Sequence, residues 1–174
     1  GRDFINDALN KGARLLDVDL FKYATTYRKK LTGYVIGIVG SAGKTTIKDM
    51  LASILSQSYT VTKTIENQNN EFGVPLTILS ADEHSDIILV EMGMRKPKDL
   101  AFLTKMVQPD IVVFTGVGKS HISFYNSQRS LAIEKASVFK KPLKWQTKPR
   151  TCFLNSGGAY HDLVQQKAHT AGYQ

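Results

Sequence analysis

Apolar positions along this chain follow two alternating rhythms. Short unbroken runs, Tyr34-Val35-Ile36-Gly37-Ile38-Val39, Ile87-Ile88-Leu89-Val90, Ile111-Val112-Val113-Phe114 and Thr151-Cys152-Phe153-Leu154, are separated by stretches in which apolar residues return every third or fourth position. The first rhythm suits strands buried on both sides, and the second suits helices with one apolar stripe. The pattern predicts strands over 34–39, 59–64, 86–92, 111–115 and 151–154, and helices over 44–57, 74–79, 97–106, 127–139 and 158–171, with a polar turn over 66–71. Upstream, Leu20, Ala24, Tyr27 and Leu31 share one helical face between Asp17 and Leu31, following a predicted helix from Asp3 to Lys11 and a turn at Gly12. Strands that alternate with helices imply an α/β fold, with a mostly parallel sheet covered by helices on both faces and preceded by a short helical segment. In such sheets ligands sit at the carboxyl ends of the strands.

The first strand runs directly into Gly40-Ser41-Ala42-Gly43-Lys44-Thr45-Thr46, and a helical pattern begins at once with Ile47-Lys48-Asp49-Met50-Leu51-Ala52. A strand, a glycine turn and a helix start together form a phosphate cradle. The glycines let backbone N–H groups close on phosphate oxygens, the helix N-terminus adds its positive end, Lys44 reaches the outer phosphates, and Thr45 offers a hydroxyl to Mg2+. The fold is thus P-loop NTPase-like, and ATP and Mg2+ are the expected ligands. The loop is a variant, since Ile38 stands five residues before Gly43, where the common form of the motif has glycine.

Further candidates fall at other strand ends. Glu91 closes an apolar run, where a Mg2+-bound nucleotide needs a hard oxygen ligand, whereas Asp86 reads as a solvated strand start. His121 follows the fourth strand in Gly118-Lys119-Ser120-His121; taken alone, such a histidine is more often structural than functional. The turn Glu66-Asn67-Gln68-Asn69-Asn70-Glu71 is dense in asparagine, a residue that commonly satisfies its own backbone in turns.

Composition narrows the class. The chain has 174 residues, 42% of them hydrophobic and 22% charged, which predicts a single globular domain. No apolar run approaches the ~20 residues that span a bilayer, so a cytoplasmic protein without membrane insertion is expected. Cys152, the single cysteine, reads as a buried strand residue. The net charge is +8, and from Lys135 to Arg150 the run Lys135, Lys140, Lys141, Lys144, Lys148 and Arg150 contains no acid. That run lacks the interleaved aromatics of a stacking platform, so it reads as a solvated loop face and not as a nucleic-acid surface.

Two longer patterns, Asn67-x-Asn69-Asn70-x-x-Gly73-Val74-Pro75-Leu76-Thr77 and Glu91-Met92-Gly93-Met94-x-Lys96-Pro97, together with the glycine loop, resemble the Mur ligase family of ATP-dependent amide-forming enzymes. The match is nearest to the branch that adds a dipeptide. It runs from Gly33 to Asn155, and Asp3-Phe4-Ile5-x-x-Ala8-Leu9-x-x-Gly12-Ala13 is similar to the end of that family's N-terminal domain. The resemblance implies a remnant of that domain over 1–32, a central ATP-binding domain over 33–174, and no C-terminal domain. It also implies that Gly40 to Thr46, with Asn67 and Asn70, bind the nucleotide, that Thr45 and Glu91 hold one Mg2+ and His121 a second, and that Lys44, His121 and Lys135 are catalytic. Lys135, in Ala132-Ile133-Glu134-Lys135-Ala136, matches a family lysine that is carbamylated, a change that turns an ammonium into an oxygen ligand for Mg2+.

The implied substrates are a UDP-MurNAc-peptide and D-Ala-D-Ala, joined by a monomeric enzyme of peptidoglycan precursor synthesis through an acyl phosphate. Folylpolyglutamate synthase shares the loop and the lysine, but the Asn67 to Thr77 pattern argues against it. The chain departs from the family pattern at Val39, Gly116, Ser123 and Ser156, where threonine, asparagine and two acids are usual. These departures leave open a catalytically degenerate nucleotide-binding or interaction module of the same fold.

Overall fold

A computed structural model describes residues 10–12 and 19–174; most of the helix expected over Asp3–Lys11 lies outside the described residues. Helix α1 (Leu20–Arg28) starts later than the periodicity predicts because the Asp19 carboxylate accepts the Lys22 N–H at 3.0 Å and so caps it. It ends at Arg28 because the Lys29 N–H turns back to the Thr26 and Tyr27 carbonyls, which lets Leu31 swing into the core. There follow β1 (Tyr34–Val39), α2 (Lys44–Leu55), β2 (Val61–Lys63), α3 (Gly73–Ser80), β3 (Ile87–Glu91), α4 (Asp99–Val107), β4 (Ile111–Phe114), α5 (Gln128–Lys135), β5 (Thr151–Leu154) and α6 (His161–Thr170). The single helix expected over 127–139 divides into α5 and a 3-10 turn at Ala136–Val138, after which Phe139 stacks on Phe114 and meets Tyr173 edge-on.

The sheet has five strands in the order β2-β3-β1-β4-β5, and every pairing is parallel. In register, Ile38 of β1 lies beside Glu91 of β3 and Val39 beside Phe114 of β4. Alternation sorts the strand residues onto two faces. Val35, Val39, Ile88 and Val90 enter a large core with α1, α3, α4, α5 and α6, whereas Ile36, Ile38, Ile87 and Leu89 enter a smaller one with Ala52 and Leu51 of α2.

Burial on both sides holds for β3 but not for β4. Ile111 and Val113, on the α2 side, are half-buried, and Phe153 of β5 is 59% exposed. The reason is the path of the chain: α2 packs over β1, β2 and β3, towards the opposite edge.

The run from Lys135 to Arg150 is not a solvated face throughout. Lys135 and Arg150 are buried. Arg150 donates to the carbonyls of Lys140, Ala171 and Pro109, and its guanidinium lies 3.8 Å from the centre of the Tyr173 ring. Carbonyl acceptors and an aromatic face replace the water that this cation gives up.

A second buried arginine ties α1 to the sheet. Arg28 donates from Nε to the Val107 carbonyl at 2.8 Å and from Nη2 to Asp110 Oδ2 at 3.0 Å, and that same carboxylate oxygen accepts the Val35 N–H at 3.0 Å. Removing one member of a buried pair strands the other. Arg28→Met is therefore expected to lower the free energy of unfolding by about 3–5 kcal/mol, read from the shift in urea midpoint; a loss below about 1 kcal/mol would place the pair among weak surface contacts.

Candidate active site

The chain leaves β1 for α2 on one face of the sheet and leaves β3 for β4 across the other, so a crevice opens at the carboxyl ends of β1, β3 and β4. Gly40 begins the loop in this crevice with φ 150, and a Cβ built there would lie 1.9 Å from Thr115 Oγ1. Gly43 caps α2 in the left-handed conformation at φ 79, with no side chain competing for the first-turn amides. Both positions demand glycine, one for space and one for backbone angle.

The segment after β4 braces the loop from the side. The Ser41 N–H donates to the Gly116 carbonyl at 3.0 Å, Ser41 Oγ accepts the Gly118 N–H at 2.8 Å, and Thr115 Oγ1 donates to the Ala42 carbonyl at 2.6 Å. Ser120 Oγ adds a bond to the Ser41 carbonyl at 2.9 Å. This brace carries His121 to the mouth of the crevice in a left-handed conformation, φ 64.

Five expected residues converge. Lys44 Nζ donates to the Gly40 carbonyl at 3.1 Å, and Lys135 Nζ reaches the same oxygen at 3.3 Å from α5. Burial pushes the Lys135 ammonium down to about 8, the Lys44 charge adds to this, and Glu134 opposes it. His121 is also lowered, first by burial and then by the Lys135 and Lys44 charges, which favours a neutral imidazole with a free lone pair. Thr45 Oγ1 donates to Glu91 Oε2 at 2.9 Å, and the carboxylate is 1% exposed. Gly40, Lys44, His121 and Lys135 thus line a single cleft, and the Thr45–Glu91 pair adjoins it, with Glu91 held by the cleft-lining Asn69.

The asparagine turn supplies the neighbouring wall through Asn69 and Asn70. Asn69 reaches the carboxylate: its Nδ2 donates to Glu91 Oε1 at 2.7 Å. Asn67 is exposed and offers its carbonyl to the Asn69 N–H. Asn70 lines the cleft, and its Oδ1 accepts the N–H groups of Phe72 and Gly73, closing the entry to α3. Thr46 and Ala42 are exposed. The outer wall consists of Met94, Arg95, Asp99, Phe102 and Leu103, which the spacing of residues did not reveal. Lys48 was also missed, although it follows Thr45 by three positions on the same helix face; its side chain is wholly buried, 3.9 Å from Glu91 Oε2.

Lys44, the first-turn amides of α2 and the neutral side of His121 suit a polyphosphate. Among the described residues no three His, Cys, Asp or Glu side chains gather as a ready-made metal cage. The hard oxygens of Thr45 and Glu91 nonetheless fit Mg2+, which keeps several waters and takes few protein ligands.

Comparison with known proteins agrees with this geometry. Residues 38–174 match the family model described as the Mur ligase middle domain. The chain is 39% identical over 119 residues to the UDP-N-acetylmuramoyl-tripeptide--D-alanyl-D-alanine ligase of Bacillus subtilis, covering 68% of this chain and 26% of that protein. The enzyme of that name from Synechocystis is 38% identical over 136 residues, covering 78% and 29%. The crystal structure of the Thermotoga maritima MurF ligase in complex with ADP superposes with a TM-score of 0.76 at 28% identity, covering 99% of this chain and 43% of that one. The chain therefore spans less than a third of the length of these two curated relatives. The matched span, the phosphate loop and the strand-end acid together establish that this chain belongs to the Mur ligase family.

Proposed function

We propose that the chain forms the ATP-binding core of a ligase that adds D-Ala-D-Ala to a UDP-MurNAc-tripeptide in peptidoglycan precursor synthesis. The observation that carries this reading is the convergence of Lys44, Lys135 and His121 on one cleft, beside a Thr45–Glu91 pair that the cleft-lining Asn69 holds. The identity to two ligases of that name supports the choice of substrates. A cytoplasmic setting suits substrates that are nucleotide conjugates, and no helix among the described residues is long and apolar enough to cross a membrane.

In this reading the loop amides and Lys44 hold the terminal phosphates of ATP and offset charge as the tripeptide carboxylate attacks the γ-phosphorus, releasing ADP. The amine of D-Ala-D-Ala then attacks the acyl phosphate carbon, loses a proton and expels inorganic phosphate. Phosphoryl transfer asks for alignment and charge neutralisation, so no protein nucleophile is needed. Mg2+, held by Thr45 and Glu91 and, at a second position, by His121, would neutralise the phosphate oxygens.

Lys135 belongs to this reading as a carbamate. Its amine adjoins the Lys44 ammonium at the Gly40 carbonyl, so two cations meet at one oxygen. Carbamylation replaces that repulsion with attraction and supplies oxygens suited to Mg2+.

Two outcomes test the proposal. In the intact protein, ADP release is expected to require both the UDP-MurNAc-tripeptide and D-Ala-D-Ala, and Lys44→Ala is expected to lower kcat by roughly 10²–10³-fold, the scale of losing one preorganised charge donor; turnover indifferent to either substrate would overturn the assignment. The second concerns pH. The neutral amine is the form that takes up CO2, and with Lys135 titrating at about 8 its share grows as pH rises through that value. At fixed dissolved CO2, a carbon-13 carbamate resonance should therefore strengthen over roughly pH 7 to 9 and vanish in Lys135→Arg; a resonance that persists in that variant refutes the site.

A further inference from the structure

Lys48 takes no part in the proposed chemistry, yet its ammonium is wholly buried beside the Glu91 carboxylate. A buried cation is retained where partners hold it, and Lys48 has three. Its Nζ donates to the Glu66 carbonyl at 2.5 Å, lies 3.7 Å from Asp49 Oδ1, and lies 3.9 Å from Glu91 Oε2, the oxygen that also accepts the Thr45 hydroxyl. Asp49 is itself held from outside by Lys63 at 2.6 Å.

These contacts close a ring. From Lys48 the path runs to the Glu66 carbonyl, along the turn to Asn69, from the Asn69 amide to Glu91, and from Glu91 back to Lys48 and Thr45. Glu66 stands in the left-handed region at φ 46, a conformation that costs a residue with a side chain and persists where neighbours impose it. The Asn69 carbonyl is fastened on the other side by the Gly93 N–H at 2.7 Å, and a Cβ at Gly93 would come within 2.3 Å of Asn69 Oδ1. The turn thus depends on Lys48 at its start and on the strand end at its finish.

We propose that Lys48 is a positioning residue that locks the asparagine turn and the Glu91 carboxylate to the phosphate-loop helix, so that Glu91 and the asparagine wall of the cleft keep a single geometry. An apolar side chain of similar length would fill the same space but would release both the turn and the carboxylate. The magnesium arm of the test rests on the reading of Glu91 given above; the exchange arm does not.

The experiment compares the intact protein with Lys48→Met and Lys48→Arg by hydrogen exchange and by titration with a non-hydrolysable ATP analogue, in Mg2+ and in excess chelator. In Lys48→Met, amides of residues 65–71 are expected to exchange at least roughly tenfold faster while β1 and α4 keep parental rates. Affinity in chelator should stay within about threefold of the parent, and the gain on adding Mg2+ should shrink by at least about fivefold. Lys48→Arg, which keeps the cation, should preserve both readouts within about threefold; this variant decides the matter if Lys48→Met does not fold. Unchanged exchange in the turn, uniformly faster exchange across the sheet, or a folded Lys48→Arg that has lost protection of the turn would each overturn the proposal. A parent protein with no Mg2+-dependent gain would instead defeat the magnesium reading of Glu91, leaving the exchange arm to decide the role of Lys48.

Discussion

A carboxylate taken out of water must be matched by donors and charge, and Glu91 is the point at which this fold meets that demand. Strand β3 buries it at its carboxyl end, and two separate elements converge to satisfy it, Thr45 and Lys48 from α2 and Asn69 from the turn before α3, while Thr64 Oγ1 accepts the Glu91 backbone N–H. None of these partners is close to Glu91 in sequence. Once they are assembled, the phosphate loop, the strand end and the asparagine turn have fixed positions relative to one another, and the cleft follows from that arrangement.

The opposite side of the cleft is organised by cations, not by an acid. Lys44 and Lys135 approach one carbonyl, and His121 stands close enough for both charges to lower it. A buried acid behind Asn69 and a basic wall form an arrangement suited to a polyphosphate bridged by divalent ions. The bracing of Ser41 and Ala42 by Thr115, Gly116, Gly118 and Ser120 keeps the two sides in register, because the strand that supplies the brace also leads to His121. Gly116, at φ 133, holds a conformation that residues with a side chain rarely adopt, and its backbone carbonyl serves the brace.

Much of the scaffold could be read from the chain. Each strand and helix from β1 to α6 lies within a few residues of its predicted span, because unbroken apolar runs and helical rhythms report burial directly. The differences sit at ends, where capping and side-chain contacts decide: Asp19 delays α1, and the 3-10 turn at Ala136 cuts α5 short. The loop Gly40 to Thr46 was legible because phosphate binding requires particular residues at adjacent positions. The burial of Arg150 was not, since a basic residue in a polar run looks solvated until Tyr173 and the carbonyls of Pro109 and Ala171 are brought to it.

By itself the sequence determined the order of elements and the phosphate loop, which depend on neighbours within a few positions, and the alternation of strands with helices that implies a parallel sheet. Only the tertiary structure decided that Asn69 reaches Glu91, that Lys48 closes the ring behind it, and that Lys135 meets Lys44 at a shared carbonyl. The physical reason is range: hydrophobic rhythm and turn chemistry are local, whereas pairing a buried charge is settled by whichever groups the crossovers bring within a few ångströms.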